Sequence, residues 1–133
     1  LAPMQNIVSG GELSRLSLAL QILLASKQHT PTLIFDEVDT GISGKTAAIV
    51  GDALKQLGQH TQVLCITHLP QVAAQASHHY KIDKRSHNQQ TSTQITQLSQ
   101  QQRVDELARL IGGTTITQKT KASAKELLAL SLE

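Results

Sequence analysis

The sequence predicts an α/β fold in which parallel strands with flanking helices precede a polar β-hairpin and C-terminal helices. Two short apolar runs, Thr32–Phe35 and Val63–Thr67, have the composition of buried parallel strands. Helical patterns lie before, between and after these runs, and such alternation is typical of a parallel sheet. After Ser77 the chain becomes polar, which indicates a structurally different second half.

The first element is a helix from Ser9 to about Ser26. Ser9 is a good N-cap, and Glu12 follows it at the spacing of a capping box. One apolar stripe runs along this helix at helical spacing and consists of Leu13, Leu16, Leu20 and Leu24. A Thr-Pro pair then ends the helix, and the first strand follows at Thr32.

The second helix is predicted from about Lys45 to Gln59, and the second strand follows it. The apolar face of this helix comprises Ala47, Val50, Leu54 and Leu57. His68 comes directly after the second strand, and a short helix is expected over residues 69–76.

The polar half is predicted to contain a hairpin and two helices. Strands over His78–Lys84 and Thr91–Leu98 flank a turn at Arg85–Gln90. Helices are predicted over Arg103–Ile111 and Lys121–Leu132. Their apolar positions are Val104, Leu107, Ala108 and Ile111 in the first, and Ala124, Leu127 and Leu128 in the second.

Length and composition limit the possible classes of protein. A chain of 133 residues predicts one domain, and a start at Leu1 suggests a piece of a longer protein. The net charge of +2 is too small to indicate nucleic-acid binding by itself, and 2% aromatic residues exclude a base-stacking platform. The single Cys65 excludes an internal disulfide and a multi-cysteine zinc site. No apolar run is long enough to span a membrane.

A phosphate-binding motif is predicted where the first helix begins. Gly10 and Gly11 allow a ligand to approach the backbone, and free N–H groups at a helix start attract anions. Ser9 can cap the helix and donate to a phosphate.

Two acids and a histidine follow the predicted strands. Asp36 and Glu37 end the first strand, where Asp36 is expected to hold Mg²⁺ and Glu37 to polarise the water that attacks a γ-phosphate. A tight loop over residues 39–44 comes next. His68 follows the neighbouring strand and is expected to hydrogen-bond the γ-phosphate or the attacking water.

Two patterns are interpreted as decoys. Gly44-Lys45-Thr46 is similar to the end of a phosphate-binding loop, but the required leading glycine is replaced by Asp39. His78 and His79 are adjacent in a predicted strand and therefore point to opposite faces, so they are not expected to share a metal.

Together, in this order, the motifs resemble the second half of an ABC-type ATPase head. Ser9–Glu12 is similar to the signature motif, Leu33–Glu37 to Walker B, Asp39–Gly44 to the D-loop and His68 to the switch histidine. The details resemble the SMC-like branch, and specifically the RecN family of bacterial double-strand-break repair ATPases. The stretches that resemble this family are residues 35–44, 66–74 and 106–113. One residue departs from the pattern, because Lys45 stands where the family has Pro. The resemblance implies that residues 1–133 form the C-terminal lobe of an ABC/SMC-type P-loop ATPase head, without Walker A and coiled coil.

The resemblance also implies a mechanism and partners. ATP with Mg²⁺ is sandwiched between two heads: Asp36 binds the metal, Glu37 is the general base and His68 senses the γ-phosphate. Ser9, Gly10, Gly11 and Glu12 contact ATP held by the second head, and Asp39 couples the two sites. The implied partners are the chain's own N-terminal Walker A lobe, a second head in a homodimer and DNA, with no membrane. The implied setting is the bacterial cytoplasm at the nucleoid, in recombinational repair and the SOS response, and the isolated chain is expected to be inactive.

Two alternatives are weighed against this interpretation, and a third is rejected. A transporter's nucleotide-binding domain predicts Gln at position 12 and an Ala-Leu-Asp-Pro loop, and the sequence has neither. A non-catalytic dimerisation module would not need Asp36, Glu37 and His68. A nucleotide kinase that uses Gly44-Lys45-Thr46 conflicts with the position of that loop after the acidic strand.

Overall fold

The computed structural model describes residues 10–36, 38–87 and 90–133, and the side chains of these except residues 10–14 and 87. The chain divides into two compact units, one that ends at Gln75 and one over Ala76–Glu133. Length alone predicts one domain, whereas the division lies beside Ser77, where the composition changes. None of the helices in the described ranges is long and apolar enough to cross a membrane.

The first unit alternates helices and strands as predicted. Its elements are α1 (Gly10–Lys27), β1 (Thr32–Asp36), α2 (Gly44–Leu57), β2 (Gln62–Ile66) and α3 (Pro70–Ala73). Most bounds agree with the prediction to within two residues. The exception is α3, which is one turn long and stops at Ala73, short of the predicted end at position 76.

β1 and β2 pair in parallel, with a register that runs from Thr32 opposite Gln62 to Asp36 opposite Ile66. The parallel sheet is therefore confirmed. Because both strands run in the same direction, their carboxyl ends lie side by side. The residues that follow β1 and those that follow β2 consequently meet at one edge of this sheet.

The core of the first unit lies on one face of the sheet. Phe35 is buried there, and Leu33, Val63 and Cys65 pack against the same cluster. The other face is open: its apolar side chains are Ile34, Leu64 and Ile66, exposed to 68%, 47% and 49%. The prediction of strands buried on both faces is therefore wrong for this chain, because the helices of the first unit cover only one face.

The two long helices of this unit behave differently. The predicted face of α2 is buried throughout: Ala47, Val50, Leu54 and Leu57. In α1 the predicted stripe does not enter the core, because Leu16, Leu20 and Leu24 are exposed while Leu18 and Ala25 are buried. The side chain of Leu13 lies outside the described residues. Helix α1 thus has two apolar sides, of which this chain covers one.

The second unit contains an antiparallel hairpin and two helices. Its elements are β3 (Tyr80–His87), β4 (Gln90–Gln97), α4 (Gln100–Gly112) and α5 (Gln118–Leu130). The predicted turn at Arg85–Gln90 is wrong, since strand pairing continues to His87 opposite Gln90. The hydroxyl groups of Ser86 and Thr91 lie 3.3 Å apart across the strands. Cross-strand pairs of this kind favour continued pairing over a turn.

Both C-terminal helices begin three residues earlier than predicted because each has a capping box. Ser99 exchanges hydrogen bonds with Gln102 before α4, and Thr117 does so with Thr120 before α5. These boxes satisfy N–H groups that would otherwise lack partners at the helix start. The predicted core residues Val104, Leu107, Ala108 and Ala124 are buried, whereas Ile111 is exposed.

Charged contacts join the base of the hairpin to α4. The Nζ of Lys81 lies 3.7 Å from a carboxylate oxygen of Glu106 and 3.4 Å from one of Asp83. Arg109 also pairs with Glu106. Burial alone would raise the pKa of Glu106, but the hydrogen bonds and charges of Arg109, with the charge of Lys81, hold it below its ordinary value.

Candidate functional site at the sheet edge

The carboxyl ends of β1 and β2 carry the residues that the sequence predicts for phosphate chemistry. Asp36 is the last residue of β1, and its side chain is exposed at the sheet edge. Glu37 directly follows it in sequence but lies outside the described residues. Ser9 and the side chain of Glu12 lie outside them as well. The described part of helix α1 starts at Gly10, within the predicted motif.

The exposed carboxylate of Asp36 fits a magnesium ion that is shared with a phosphate ligand. Mg²⁺ keeps several waters and usually takes only one or two protein carboxylates. Asp36 is therefore a residue that could hold such an ion.

Asp39 forms the centre of the site. Its side chain is only 4% exposed. One carboxylate oxygen, Oδ2, accepts from the hydroxyl of Thr67 at 2.6 Å and from the backbone N–H of His68 at 2.8 Å. The Nδ1 of His68 lies 2.9 Å from the same oxygen. Three groups from the end of β2 thus converge on one atom of the loop that follows β1.

These contacts decide the ionisation of Asp39. Burial alone would raise the pKa of this carboxyl group. The hydrogen bonds from Thr67 and from the N–H of His68 favour the charged form and outweigh burial, so the pKa lies below its ordinary value. Asp39 is therefore an ionised acceptor at neutral pH.

Thr67 is a residue of the candidate site that the sequence reasoning missed. Its hydroxyl donates to Asp39 and accepts from the N–H of Leu69 at 3.0 Å, which places it between the loop and the start of α3. The signal in the sequence is a hydroxyl residue directly before His68, at the end of a strand that neighbours an acid-rich loop. An isolated threonine at a strand end is common, so the pattern alone does not identify it.

The imidazole of His68 is oriented by this contact. With Nδ1 on Asp39 and 74% of the side chain exposed, Nε2 is the nitrogen left for an outside partner. Nε2 can donate to a phosphate oxygen when the ring is charged, or accept from a water when it is neutral. The sheet edge therefore presents a carboxylate, Asp36, and an oriented imidazole.

Arg15 connects α1 to the loop after β1. Its Nη1 donates to the carbonyl oxygen of Gly41 at 3.2 Å. Gly41 has φ of 75°, a conformation that glycine adopts without steric cost. The same loop is closed by the N–H of Ile42, which donates to the carbonyl of Asp39 at 3.2 Å. The loop is thus stabilised by a contact with α1 and by a hydrogen bond within its own backbone.

The prediction that His78 and His79 lie in a strand is wrong, since β3 begins at Tyr80. Gly44-Lys45-Thr46 lies at the start of a helix, as predicted from the sequence. Lys45 lies in the first turn of α2 with an exposed side chain, and Gly44 begins that helix with φ of 52°. Cys65 is half-buried beside the core, and burial together with the charge of Asp39 raises the pKa of its thiol to about 11. It is therefore a neutral, unreactive side chain at neutral pH.

Comparison with known proteins agrees with the motifs. The family model described as the RecF/RecN/SMC N terminal domain matches residues 4–93. DNA repair protein RecN of Vibrio cholerae is 57% identical over 128 residues, which cover 96% of this chain and 23% of that protein. The RecN proteins of Haemophilus influenzae and Bacillus subtilis are 54% and 45% identical, over 96% of this chain and 23% and 22% of theirs. The chain thus spans about a quarter of the length of the curated relatives it matches.

A solved structure has a similar fold. It comes from work described as structural biochemistry of ATP-driven dimerization and DNA stimulated activation of SMC ATPases. The TM-score is 0.65 at 20% identity, and the match covers 83% of this chain and 66% of that one. The α/β fold of an SMC ATPase head and the resemblance to RecN are therefore confirmed. On the family match over residues 4–93 and these relatives, the chain belongs to the RecF/RecN/SMC family.

Proposed function

We propose that this chain is the C-terminal lobe of an ATP-hydrolysing SMC-like head that acts in the repair of DNA double-strand breaks. The observation that carries the proposal is the junction of Asp36, Asp39 and His68 at one sheet edge, in a chain that belongs to this family. A carboxylate and an oriented imidazole at the ends of two paired strands are groups that can catalyse phosphoryl transfer to water.

Each residue has a distinct role in this mechanism. Asp36 would hold Mg²⁺, and the ion would supply positive charge to the phosphates. Glu37 acts as the general base towards the attacking water, and His68 contacts the γ-phosphate or that water through Nε2. Asp39 is a positioning residue, because it holds Nδ1 of His68 at 2.9 Å and its own carboxylate is buried.

The signature residues act on a second nucleotide. Ser9, Gly10, Gly11 and Glu12 contact the γ-phosphate of ATP held by the partner head of a homodimer, so that ATP lies between two heads. The free N–H groups at the start of α1 supply a positive end for that phosphate. Asp39, through the loop that Arg15 holds, couples the two sites.

The N-terminal Walker A lobe is the partner that completes the nucleotide site. Ile34, Leu64 and Ile66 expose one whole face of the sheet, and Leu16, Leu20 and Leu24 expose a second side of α1. Apolar surface of this extent on a soluble protein marks a binding surface. We assign it to the Walker A lobe, without which the chain has no phosphate loop and hydrolyses ATP negligibly.

DNA is the proposed substrate of the assembled protein, which works in the bacterial cytoplasm in recombinational repair after DNA damage. The support for DNA is the relatives, which are DNA repair proteins by name. The same proposal includes participation of the protein in the SOS response.

The test is ATP hydrolysis by this chain mixed with its Walker A lobe. We expect turnover that needs both lobes and falls at least a hundredfold in Glu37→Gln, the range for loss of a general base. The matched control is Glu126→Gln, the same chemical change at an exposed position of α5, which should leave turnover unchanged.

Two outcomes would contradict the proposal. Turnover by the chain alone that Glu37→Gln abolishes would mean that the site is complete without a Walker A lobe. A stable complex of the two lobes without turnover, with DNA and the coiled coil also present, would favour the second candidate, a non-catalytic dimerisation module.

A further inference from the structure

The net charge of the hairpin equals the net charge of the whole chain, +2. Residues 78–97 contain Lys81, Lys84 and Arg85 but only one acid, Asp83. The chain has 12 basic and 10 acidic residues, so the remaining positions have equal numbers of each. The modest net charge of +2 is therefore concentrated in one element.

Within the hairpin, the charges at the base are neutralised. Lys81 lies between Asp83 and Glu106, at 3.4 and 3.7 Å, on the side of the hairpin that meets α4. Lys84 and Arg85 lie beyond these contacts, and neither makes an ion pair with the residues that the structure describes. The free positive charge is thus in the distal half, which we define as residues 84–87 and 90–94.

The distal half is an exposed ribbon of hydrogen-bonding side chains. Every residue of β4 is exposed, and Lys84, Arg85 and Ser86 of β3 are exposed as well. In the register of the two strands, Lys84 lies opposite Thr93, and Arg85 lies opposite Ser92. Because consecutive residues of a strand point to opposite faces, the ribbon has one cation on each face.

We propose that this distal half contacts the sugar-phosphate backbone of double-stranded DNA. Lysine, arginine, serine, threonine and glutamine side chains are among the groups that contact phosphates in protein–DNA interfaces. A two-stranded ribbon also fits the major groove, which is about 12 Å wide. This inference rests on the proposed function, in which DNA is the substrate, and it adds the surface of the chain that contacts DNA.

The chemistry of the ribbon favours duplex over single-stranded DNA. Binding of single strands relies on aromatic rings on which bases stack. The distal half has none, and Tyr80 lies at the base of the hairpin. The exposed Ile82–Ile95 pair is also nearer the base and is not part of the proposed surface.

The test compares two double variants of the full-length protein that contains this chain, with a fluorescent DNA duplex as the probe. Lys84→Gln with Arg85→Gln removes two predicted phosphate contacts. Lys119→Gln with Lys125→Gln is the control, since it changes net charge equally at two exposed lysines of α5. The dissociation constant is measured by anisotropy between about 50 and 200 mM salt, a range in which phosphate contacts weaken strongly.

We expect the hairpin variant to bind duplexes of different sequence more weakly by a similar factor. Its salt dependence should fall by about two in log–log slope, since each lost phosphate contact lowers the slope by about one. The α5 control should keep the parent slope. Equal unfolding midpoints of both variants would show that their folds are intact.

Three results would overturn the inference: an unchanged slope in the hairpin variant, an equal fall in the α5 control, or no duplex binding by the parent. ATP hydrolysis by the parent without DNA, with Glu37→Gln as reference, is measured on the same preparations. If hydrolysis persists while the hairpin variant binds as the parent does, the inference fails and the proposed ATPase stands. If hydrolysis is absent both without DNA and after DNA is added, the proposed function fails independently.

Discussion

At the scale of single residues, Asp39 organises the sheet edge. One of its oxygens receives a hydroxyl, a backbone N–H and an imidazole nitrogen from the two residues that follow β2. A buried carboxylate is stable only when such donors replace water. The loop after β1 and the end of β2 are therefore joined by a charge that cannot be removed without leaving donors unpaired.

Replacement of Asp39 by Asn should destabilise the first unit by about 1.5–3 kcal/mol, the cost of losing charge-assisted hydrogen bonds. Urea unfolding of parent and variant measures it. Asp52→Asn is the control, because Asp52 is an exposed carboxylate that accepts from the Gln56 side chain, and it should change stability by less than about 0.5 kcal/mol.

The same variant has a pH signature. Because the pKa of Asp39 is lowered in the folded chain, its stabilisation is complete above the ordinary aspartate pKa of about 3.9 and is lost as pH falls through the lower folded value. The difference between parent and Asp39→Asn should therefore be constant from pH 5 to 8 and shrink below about pH 4. A difference that is independent of pH would refute the charge-based explanation.

At the scale of elements, the close contact between α2 and α3 helps to hold the end of β2 in place. Gly51 lies in the middle of α2, and a Cβ there would be 2.9 Å from the carbonyl oxygen of Gln71 and 3.2 Å from Cα of Val72. The absence of a side chain thus lets the two helices approach. Since α3 begins two residues after His68, this contact also limits where the imidazole can lie.

Substitution of Gly51 by Ala should destabilise the chain despite the better helix propensity of alanine. The propensity gain is at most about 1 kcal/mol, whereas overpacking against a backbone costs about 1–3 kcal/mol. Gly58→Ala is the control, because Gly58 ends α2 with φ of −64° and a Cβ at that position would lie 3.3 and 3.4 Å from its nearest neighbours. Thermal unfolding measures both, and a stabilised Gly51→Ala would mean that α3 moves away freely.

At the scale of the whole molecule, much apolar surface in the first unit is uncovered. The open sheet face and the outer side of α1 together expose six large aliphatic side chains: Leu16, Leu20, Leu24, Ile34, Leu64 and Ile66. In the absence of a partner that covers them, such surfaces associate with one another. We therefore expect the isolated chain to self-associate.

The Ile34→Thr variant should weaken self-association of the isolated chain about tenfold or more, because burial of an isoleucine contributes about 1.5–3 kcal/mol. Ile49→Thr is a closely matched control: Ile49 is 61% exposed against 68% for Ile34, but it lies on α2. Sedimentation equilibrium measures both. An equal effect of the two substitutions, or a monomeric parent, would contradict a role for the sheet face.

The order of the elements, the core face of α2 and the placement of Asp36 and His68 at one sheet edge could be predicted from the sequence alone. These follow from helical periodicity, strand composition and parallel strand direction, which are local or topological properties. The three-dimensional packing was needed to show that Asp39 binds Thr67 and His68, residues 28 and 29 positions away, and that Leu16, Leu20 and Leu24 stay exposed. Such contacts depend on how distant elements pack, and hydrophobic spacing does not specify which of two apolar sides is covered. The roles predicted for Ser9, Glu12 and Glu37, whose side chains lie outside the described residues, stay predictions from the sequence.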